Sequence, residues 1–210
     1  MIRVFVADDH RIVREGIKRM FADTADVRVV GEAANGAELL EALGWSDATV
    51  LILDISMPGP GVTDLVQELR QRRPGLQILV LSMHPEEQYA VRVLRAGAAG
   101  YLSKDQSPEH LLDAVRKVAR GGRYVTASLA ERLAFGLSDG EERPPHEALS
   151  DREYAVLRHI ANGLSLKEIA GRMSLSPKTV TTYRARLLEK LGMRSNADLV
   201  RYALEHGLRE

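Results

Sequence analysis

The chain has 210 residues, 29 basic and 29 acidic side chains and no cysteine, a length that accommodates one or two domains with real cores. Zero net charge gives no whole-chain pull toward nucleic acid or membrane, and without cysteine there are no disulfides or thiolate metal sites. No apolar run approaches the ~18 residues of a membrane span and no basic-plus-apolar export signal opens the chain, so a cytoplasmic protein without membrane contact is expected.

From the N-terminus, short β-branched runs alternate with amphipathic stretches. Strands are expected at Arg3–Ala7, Val27–Glu32, Val50–Asp54, Gln77–Leu81 and Gly100–Leu102, with helices near 11–22, 36–43, 61–72, 86–96 and 107–120. Five β/α repeats of this kind predict a parallel sheet wrapped by helices. The runs Val4–Ala7, Val50–Leu53 and Ile78–Leu81 are continuously apolar, as central parallel strands covered on both faces must be. A helical pattern at Ala127–Phe135 is followed by the acidic, proline-rich stretch Leu137–Glu147, which reads as a linker.

From Leu149 onward only helical signals remain. Ser150-Asp-Arg-Glu153 is a capping-box pattern opening a helix to about Ala161, and Ser165 caps a short one to Met173. Ser176-Pro177 opens a third, to about 191, and the last runs from about Ser195 to His206. Residues 148–210 hold eleven basic against seven acidic side chains, so the neutral total hides a mildly basic C-terminal part.

Each central strand ends in polar residues: Asp8-Asp9, Asp54 and Ser82, with Lys104 just after the fifth strand. Open α/β folds place their ligands at this edge. Crowded carboxylates repel one another and call for a cation, and oxygen donors of this kind suit Mg²⁺. The set can accept a phosphoryl group on a carboxylate: Asp54, ending the middle strand, is the candidate nucleophile. Asp8 and Asp9 then hold metal, together with the backbone carbonyl of Ser56, while Lys104 and Ser82 supply an ammonium and a hydroxyl. His10 adjoins the pair, but the six histidines show no metal-ligand spacing.

The strings Ala7-Asp8-Asp9-His10, Leu53-Asp54-Ile55-Ser56-Met57-Pro58-Gly59, Leu81-Ser82 and Ala96-Gly97-Ala98-Ala99-Gly100-Tyr101-Leu102-Ser103-Lys104 resemble the receiver domain of NarL/FixJ-type response regulators over residues 1–122. The resemblance implies a doubly wound fold with strand order 2-1-3-4-5, phosphorylation of Asp54 by a sensor histidine kinase, and a switch in which Ser82 and Tyr101 move together. Val62 stands where a glycine is common after the Met-Pro-Gly turn, and Ser82 where threonine is also common.

The helices near 165–173 and 176–191, joined by Ser174-Leu175, form a helix-turn-helix candidate. On a helical projection Val180, Leu187 and Leu191 share the core stripe, flanked by Tyr183, Arg184 and Leu188, while Lys178, Thr181, Thr182, Ala185, Arg186 and Glu189 face outward. A face of small and polar residues rimmed by cations fits a major groove. The segment from Leu149 to Gly192 resembles the LuxR-type DNA-binding domain over about 148–208. This implies base contacts from Thr181, Thr182 and Ala185, phosphate contacts from Lys178, Thr179 and Arg186, and a last helix used for dimerisation.

The expected organisation is therefore a receiver domain at 1–122, a short helix and linker at 123–147, and a helix-turn-helix domain at 148–210. The expected function is a phosphorylation-controlled transcription factor, not an enzyme beyond its own phosphorylation and dephosphorylation. Mg²⁺ is the cofactor, and the partners are a sensor kinase, duplex promoter DNA and a second copy on activation, with RNA polymerase a further candidate. Three other readings compete. A phosphatase resembling the haloacid dehalogenases would carry a second aspartate where Ser56 stands, a small-molecule sensor would not need the acidic cluster, and a receiver that dimerises without phosphorylation would not need its full set.

Overall fold

Five short parallel strands in the order β2-β1-β3-β4-β5 form the N-terminal sheet: β1 (Ile2–Ala7), β2 (Val27–Ala33), β3 (Val50–Asp54), β4 (Gln77–Ser82) and β5 (Gly100–Ser103). The computed structural model describes residues 1–57, 61–83, 86–127, 129–131, 144–173 and 175–208. Between the strands lie α1 (Arg11–Ala22), α2 (Gly36–Trp45), α3 (Val62–Arg72) and α4 (Glu86–Ala96), and α5 (Pro108–Ala119) follows the last. The expected elements are all present, with ends moved by a residue or two; β4 extends to Ser82 and β5 to Ser103.

Parallel strands covered on both faces must be apolar at every position. Accordingly Val4, Val6, Val50, Ile52, Leu79 and Leu81 pack with Ile17 and Phe21 of α1 and Leu111, Val115 and Val118 of α5. The alternate residues Phe5, Leu51, Leu53, Ile78 and Val80 are equally buried on the opposite face. Full burial of such a side chain stabilises by roughly 1.5–3 kcal/mol, so these strands locate the sheet edge firmly. Val62, in the place where a glycine is common, is the buried first residue of α3.

Beyond β5 the chain makes one more pairing. Tyr124 bridges Gly100: its N–H donates to Ala99 O at 3.0 Å and its carbonyl accepts from Tyr101 N at 3.1 Å. A Cβ on Gly100 would meet Tyr124 O at 2.8 Å and Leu79 Cδ1 at 2.9 Å, so this close approach requires glycine. Of the expected helix at Ala127–Phe135, residues 127 and 129–131 are helical; the remainder lies outside the described residues, as does most of the expected linker. Its described end, Pro145–Ala148, is a short 3₁₀ turn.

The chain divides into two compact units, Met1–Gly140 and Glu141–Glu210. The second is all-helical: α6 (Asp151–Ala161), α7 (Leu166–Arg172), α8 (Pro177–Lys190) and α9 (Asn196–Glu205). Ser150, Ser165 and Ser195 open α6, α7 and α9 with capping boxes closed by Glu153, Glu168 and Asp198. Ser176 accepts from Thr179 N to cap α8, with Pro177 in its first turn. Ser174 of the expected turn lies outside the described residues.

Glu153 is a buried carboxylate with two tasks: Oε2 accepts from Ser150 N at 2.8 Å and from Lys190 Nζ at 2.7 Å, joining the start of α6 to the end of α8. Burial alone would raise its pKa, but the Lys190 ammonium and the Ser150 donors outweigh it and hold the carboxyl below its ordinary range. A carboxylate whose folded pKa is depressed contributes stability that is present above the unfolded pKa and is lost as pH falls through the folded one. Glu153→Gln should therefore destabilise the helical unit at pH 7 by about 1–3 kcal/mol and flatten its loss of stability below about pH 4.5. Urea denaturation followed by helix circular dichroism between pH 7 and 3 checks both; an unchanged midpoint at pH 7 contradicts the assignment.

Candidate phosphoryl-acceptor site and nucleic-acid interface

The order β2-β1-β3-β4-β5 brings the C-terminal ends of β1, β3, β4 and β5 side by side, and with them Asp8, Asp54, Ser82 and Lys104. Lys104 Nζ lies 2.7 Å from Asp8 Oδ2 and 3.0 Å from Asp54 Oδ1. Its backbone N–H donates to Ser82 O at 2.7 Å, which fixes where the lysine leaves the sheet. Asp8, Asp54 and Ser82 are buried, whereas the Asp9 side chain is 30% exposed. One cation thus faces two buried carboxylates.

Burial pushes the Asp54 carboxyl above its ordinary range, with Asp8 adding to the rise and Lys104 and the Ser56 backbone N–H opposing it. Burial would lower the Lys104 ammonium, but its contacts with Asp8 and Asp54 outweigh this and raise it. Lys104 is therefore firmly charged, while ionised Asp54 is only partly compensated. Although Lys104 and Ser56 lie close enough to act electrostatically, neither makes a well-directed hydrogen bond to Asp54, and both of its carboxylate oxygens are buried without one.

Asp8, Asp9, His10 and Asp54 can each offer a ligand atom, all within 4.8 Å of one another. The carboxylates are hard oxygen donors, and the buried, unsatisfied oxygens of Asp54 are what a small divalent cation would satisfy, so the residues fit Mg²⁺. His10 instead serves the turn: its N–H donates to Asp8 Oδ1 at 2.8 Å and its Nδ1 lies 2.7 Å from Asp9 Oδ1. Ser56 is exposed in the turn after β3, while Pro58 and Gly59 lie outside the described residues. Tyr101 is buried on β5, two residues before Ser103, which is Ser82's partner in the ladder.

Sequence reasoning passed over Arg14. Its Nη1 donates to the backbone carbonyl of Asp8 at 2.7 Å and its Nε lies 3.5 Å from Glu32 Oε2. The available signal was its place on α1, one turn after His10.

In the second unit, α8 buries Val180 and Leu187 and exposes Lys178, Thr181, Thr182, Ala185 and Arg186, the division expected from the projection. Thr181 and Thr182 donate their hydroxyls back to Pro177 O and Lys178 O. Thr179 is half-buried, with Oγ1 2.8 Å from Ser176 Oγ in the helix cap. Arg184, ambiguous by projection, donates from Nε to Asn196 Oδ1 at 2.6 Å, tying α8 to the start of α9.

The model for the response regulator receiver domain matches residues 4–116, and that for bacterial regulatory proteins of the luxR family matches 147–203. The response regulator UvrY of Escherichia coli (strain K12) is 35% identical over 209 residues, 99% of this chain and 96% of the relative. The response regulator GacA of Pseudomonas protegens is 37% identical over 208 residues, 99% of this chain and 98% of the relative. Among solved structures, the RcsB response regulator of Salmonella typhimurium aligns with a TM-score of 0.65 at 30% identity over 97% of both chains. RcsB from Salmonella enterica serovar Typhimurium, bound to promoter rprA in the presence of the phosphomimetic BeF3-, aligns with a TM-score of 0.60 at 32% identity, covering 96% of this chain and 98% of that one.

The charge balance of the pocket has a measurable consequence. A carboxyl whose folded pKa is raised costs stability that is fully present above that pKa and fades as pH falls from it to the unfolded pKa. In EDTA at pH 7, Asp54→Asn should raise the melting temperature of the N-terminal unit by a few degrees, and Lys104→Met, which leaves two buried carboxylates uncompensated, should lower it. Calorimetry decides; a higher melting temperature for Lys104→Met contradicts the assignment.

Proposed function

Because the chain belongs to the NarL/FixJ-type response regulators of two-component systems, with a receiver domain and a LuxR-type DNA-binding domain, we propose that it takes a phosphoryl group onto Asp54 from a sensor histidine kinase and thereby controls its dimerisation and its binding to promoter DNA. The observation that carries this reading is the buried Asp54 carboxylate at the end of the central strand, unsatisfied by hydrogen bonds beside the single Lys104 ammonium. The family is one of regulators and not of classical enzymes. The reading divides the chain into a receiver at 1–122, a connector at 123–147 and a DNA-binding domain at 148–210.

In the proposed step an Asp54 oxygen attacks phosphorus, the P–N bond of a phosphohistidine breaks, and its electron pair returns to the imidazole. Mg²⁺, held by Asp8, Asp9, Asp54 and the Ser56 carbonyl, would neutralise charge on the phosphoryl oxygens. Lys104 already lies 3.0 Å from Asp54, and its ammonium has only to turn to pair with a phosphoryl oxygen. Ser82 and Tyr101, on neighbouring strands, are the switch pair: the hydroxyl turns to the phosphoryl group and the ring follows. The position of Asp9 at the open side of the pocket suits a ligand that reaches metal through water.

For DNA, exposed Lys178 and Arg186 are read as phosphate contacts and Thr181, Thr182 and Ala185 as base contacts. Thr179 is the sixth contact; its hydroxyl is already engaged in the helix cap, so its reach to phosphate is through the backbone N-terminus of α8. The RcsB structures on DNA, one with promoter rprA and another with two RcsB dimers bound to two parallel DNAs, support DNA and a second copy as partners. RNA polymerase is a further candidate partner, and a cytoplasmic location suits the function; no helix among the described residues is long and apolar enough to cross a membrane.

Incubation with a small phosphodonor and Mg²⁺ should add one base-labile phosphoryl group, mapped to Asp54 by peptide mass spectrometry. Wild-type labelling of Asp54→Ala would end the proposal. On DNA, Lys178→Ala or Arg186→Ala should weaken binding to all sequences and flatten the salt dependence by about one unit of slope. Thr182→Ala should cost about 1–3 kcal/mol on the operator and little on random duplex. Paired salt titrations on the two duplexes separate the roles, and equal losses on both for Thr182→Ala place the helix differently in the groove.

A further inference from the structure

We infer that Arg14 is a positioning residue for the acidic pocket: it fixes the Asp8–Asp9–His10 turn in the shape that receives the divalent cation. The inference rests on the Mg²⁺ reading above and adds a residue that touches neither metal nor phosphoryl group. The ladders of β1 with β2 and β3 end at Ala7, paired with Ala33 and Leu53. Asp8 still donates its N–H to Ala33 O at 3.1 Å, but its carbonyl lies past the last ladder rung. Arg14 Nη1 fills that place at 2.7 Å. Because the Asp8 carbonyl and the Asp9 N–H belong to one planar peptide group, fixing the first also orients the Asp9 N–H and places the Asp9 Cα from which its side chain departs.

The arginine is itself held. Its side chain is 13% exposed, and its Nε, buried without a hydrogen bond, has Glu32 Oε2 at 3.5 Å as an ion-pair partner. A guanidinium stripped of most of its water needs such partners. Glu32 also pairs with Lys18 at 3.0 Å, so the carboxylate keeps a cation when Arg14 is removed. Asp8 is thereby constrained at its N–H, its carbonyl and its Oδ1 through His10 N, while its Oδ2 has the Lys104 ammonium at 2.7 Å but no directed hydrogen bond. Only the carbonyl contact depends on a side chain outside the pocket.

Two effects of removing Arg14 have opposite signs. As a cation near three carboxylates it repels a divalent ion, so a bystander arginine, once removed, would leave metal binding tighter. As a positioning residue its loss frees the turn and weakens binding. Outer-shell contacts to metal ligands are worth about 10–100-fold in affinity, and Glu32 already offsets the Arg14 charge, so weakening should win.

The test is Mn²⁺ binding to the full chain, followed by electron paramagnetic resonance without any phosphodonor. Arg14→Met, which keeps most of the apolar stem, should bind about tenfold more weakly than wild type. Arg14→Lys, which can reach the carbonyl or Glu32 but not both, should fall between. In metal-free Arg14→Met the amide of His10 should exchange with deuterium faster while the amides of β3 keep their protection. Wild-type or tighter Mn²⁺ binding by Arg14→Met overturns the inference alone. Faster exchange throughout β1 and β3 also overturns it, making Arg14 a general stabiliser; if wild type binds no Mn²⁺ while its fold is intact, the metal reading fails and the inference with it.

Discussion

Lys104 reaches two buried carboxylates at the ends of two different strands, Asp8 just past β1 and Asp54 at the end of β3. Among the described residues the ammonium of Lys104 alone lies between Asp8 and Asp54, and exposed Asp9 adds a third carboxylate. Burying ions is expensive unless they are paired and hydrogen-bonded. Here the pairing is incomplete, since both carboxylate oxygens of Asp54 are buried without a hydrogen bond. The parallel order of the sheet sets the ends of β1, β3 and β5 close together.

The same economy of contacts ties the elements beyond the pocket. Tyr101, on β5, donates its backbone N–H to Tyr124, at the start of the connector. In the helical unit, Glu153–Lys190 and Arg184–Asn196 hold α8 from both sides and leave its polar face outward. Both units rest on apolar cores, built from continuous strands in one and from buried helix faces such as Leu157, Ile169, Val180, Leu187 and Leu199 in the other, where capping boxes and a few directed ion pairs set the helix ends.

Much of this was legible in the residues. Continuous apolar runs such as Val50–Leu53 fixed the central strands because burial on both faces permits nothing else, and the polar residues ending them named the pocket. Serine followed three positions later by Glu153, Glu168 or Asp198 marked helix starts because the capping chemistry is local. What escaped notice depends on tertiary contact. Arg14 reads as an ordinary helix cation until β2 brings Glu32 beside it, and Tyr124 carries no strand pattern because its pairing is a single bridge on a sheet edge. Arg184 sits at the boundary between the two faces of α8, where projection is ambiguous and only the arrival of α9 decides. The phosphate role of Thr179 came from the family resemblance, while its hydroxyl meets Ser176 within the local helix cap.

The central claim is that the incomplete charge balance at Asp54 controls DNA binding, and operator affinity under beryllofluoride tests it most directly. With Mg²⁺ present, the wild-type chain should bind its operator more tightly on addition of beryllofluoride, and Asp54→Asn should not respond. Equal tightening in both proteins, or none in wild type with the mimic demonstrably bound, would contradict the account.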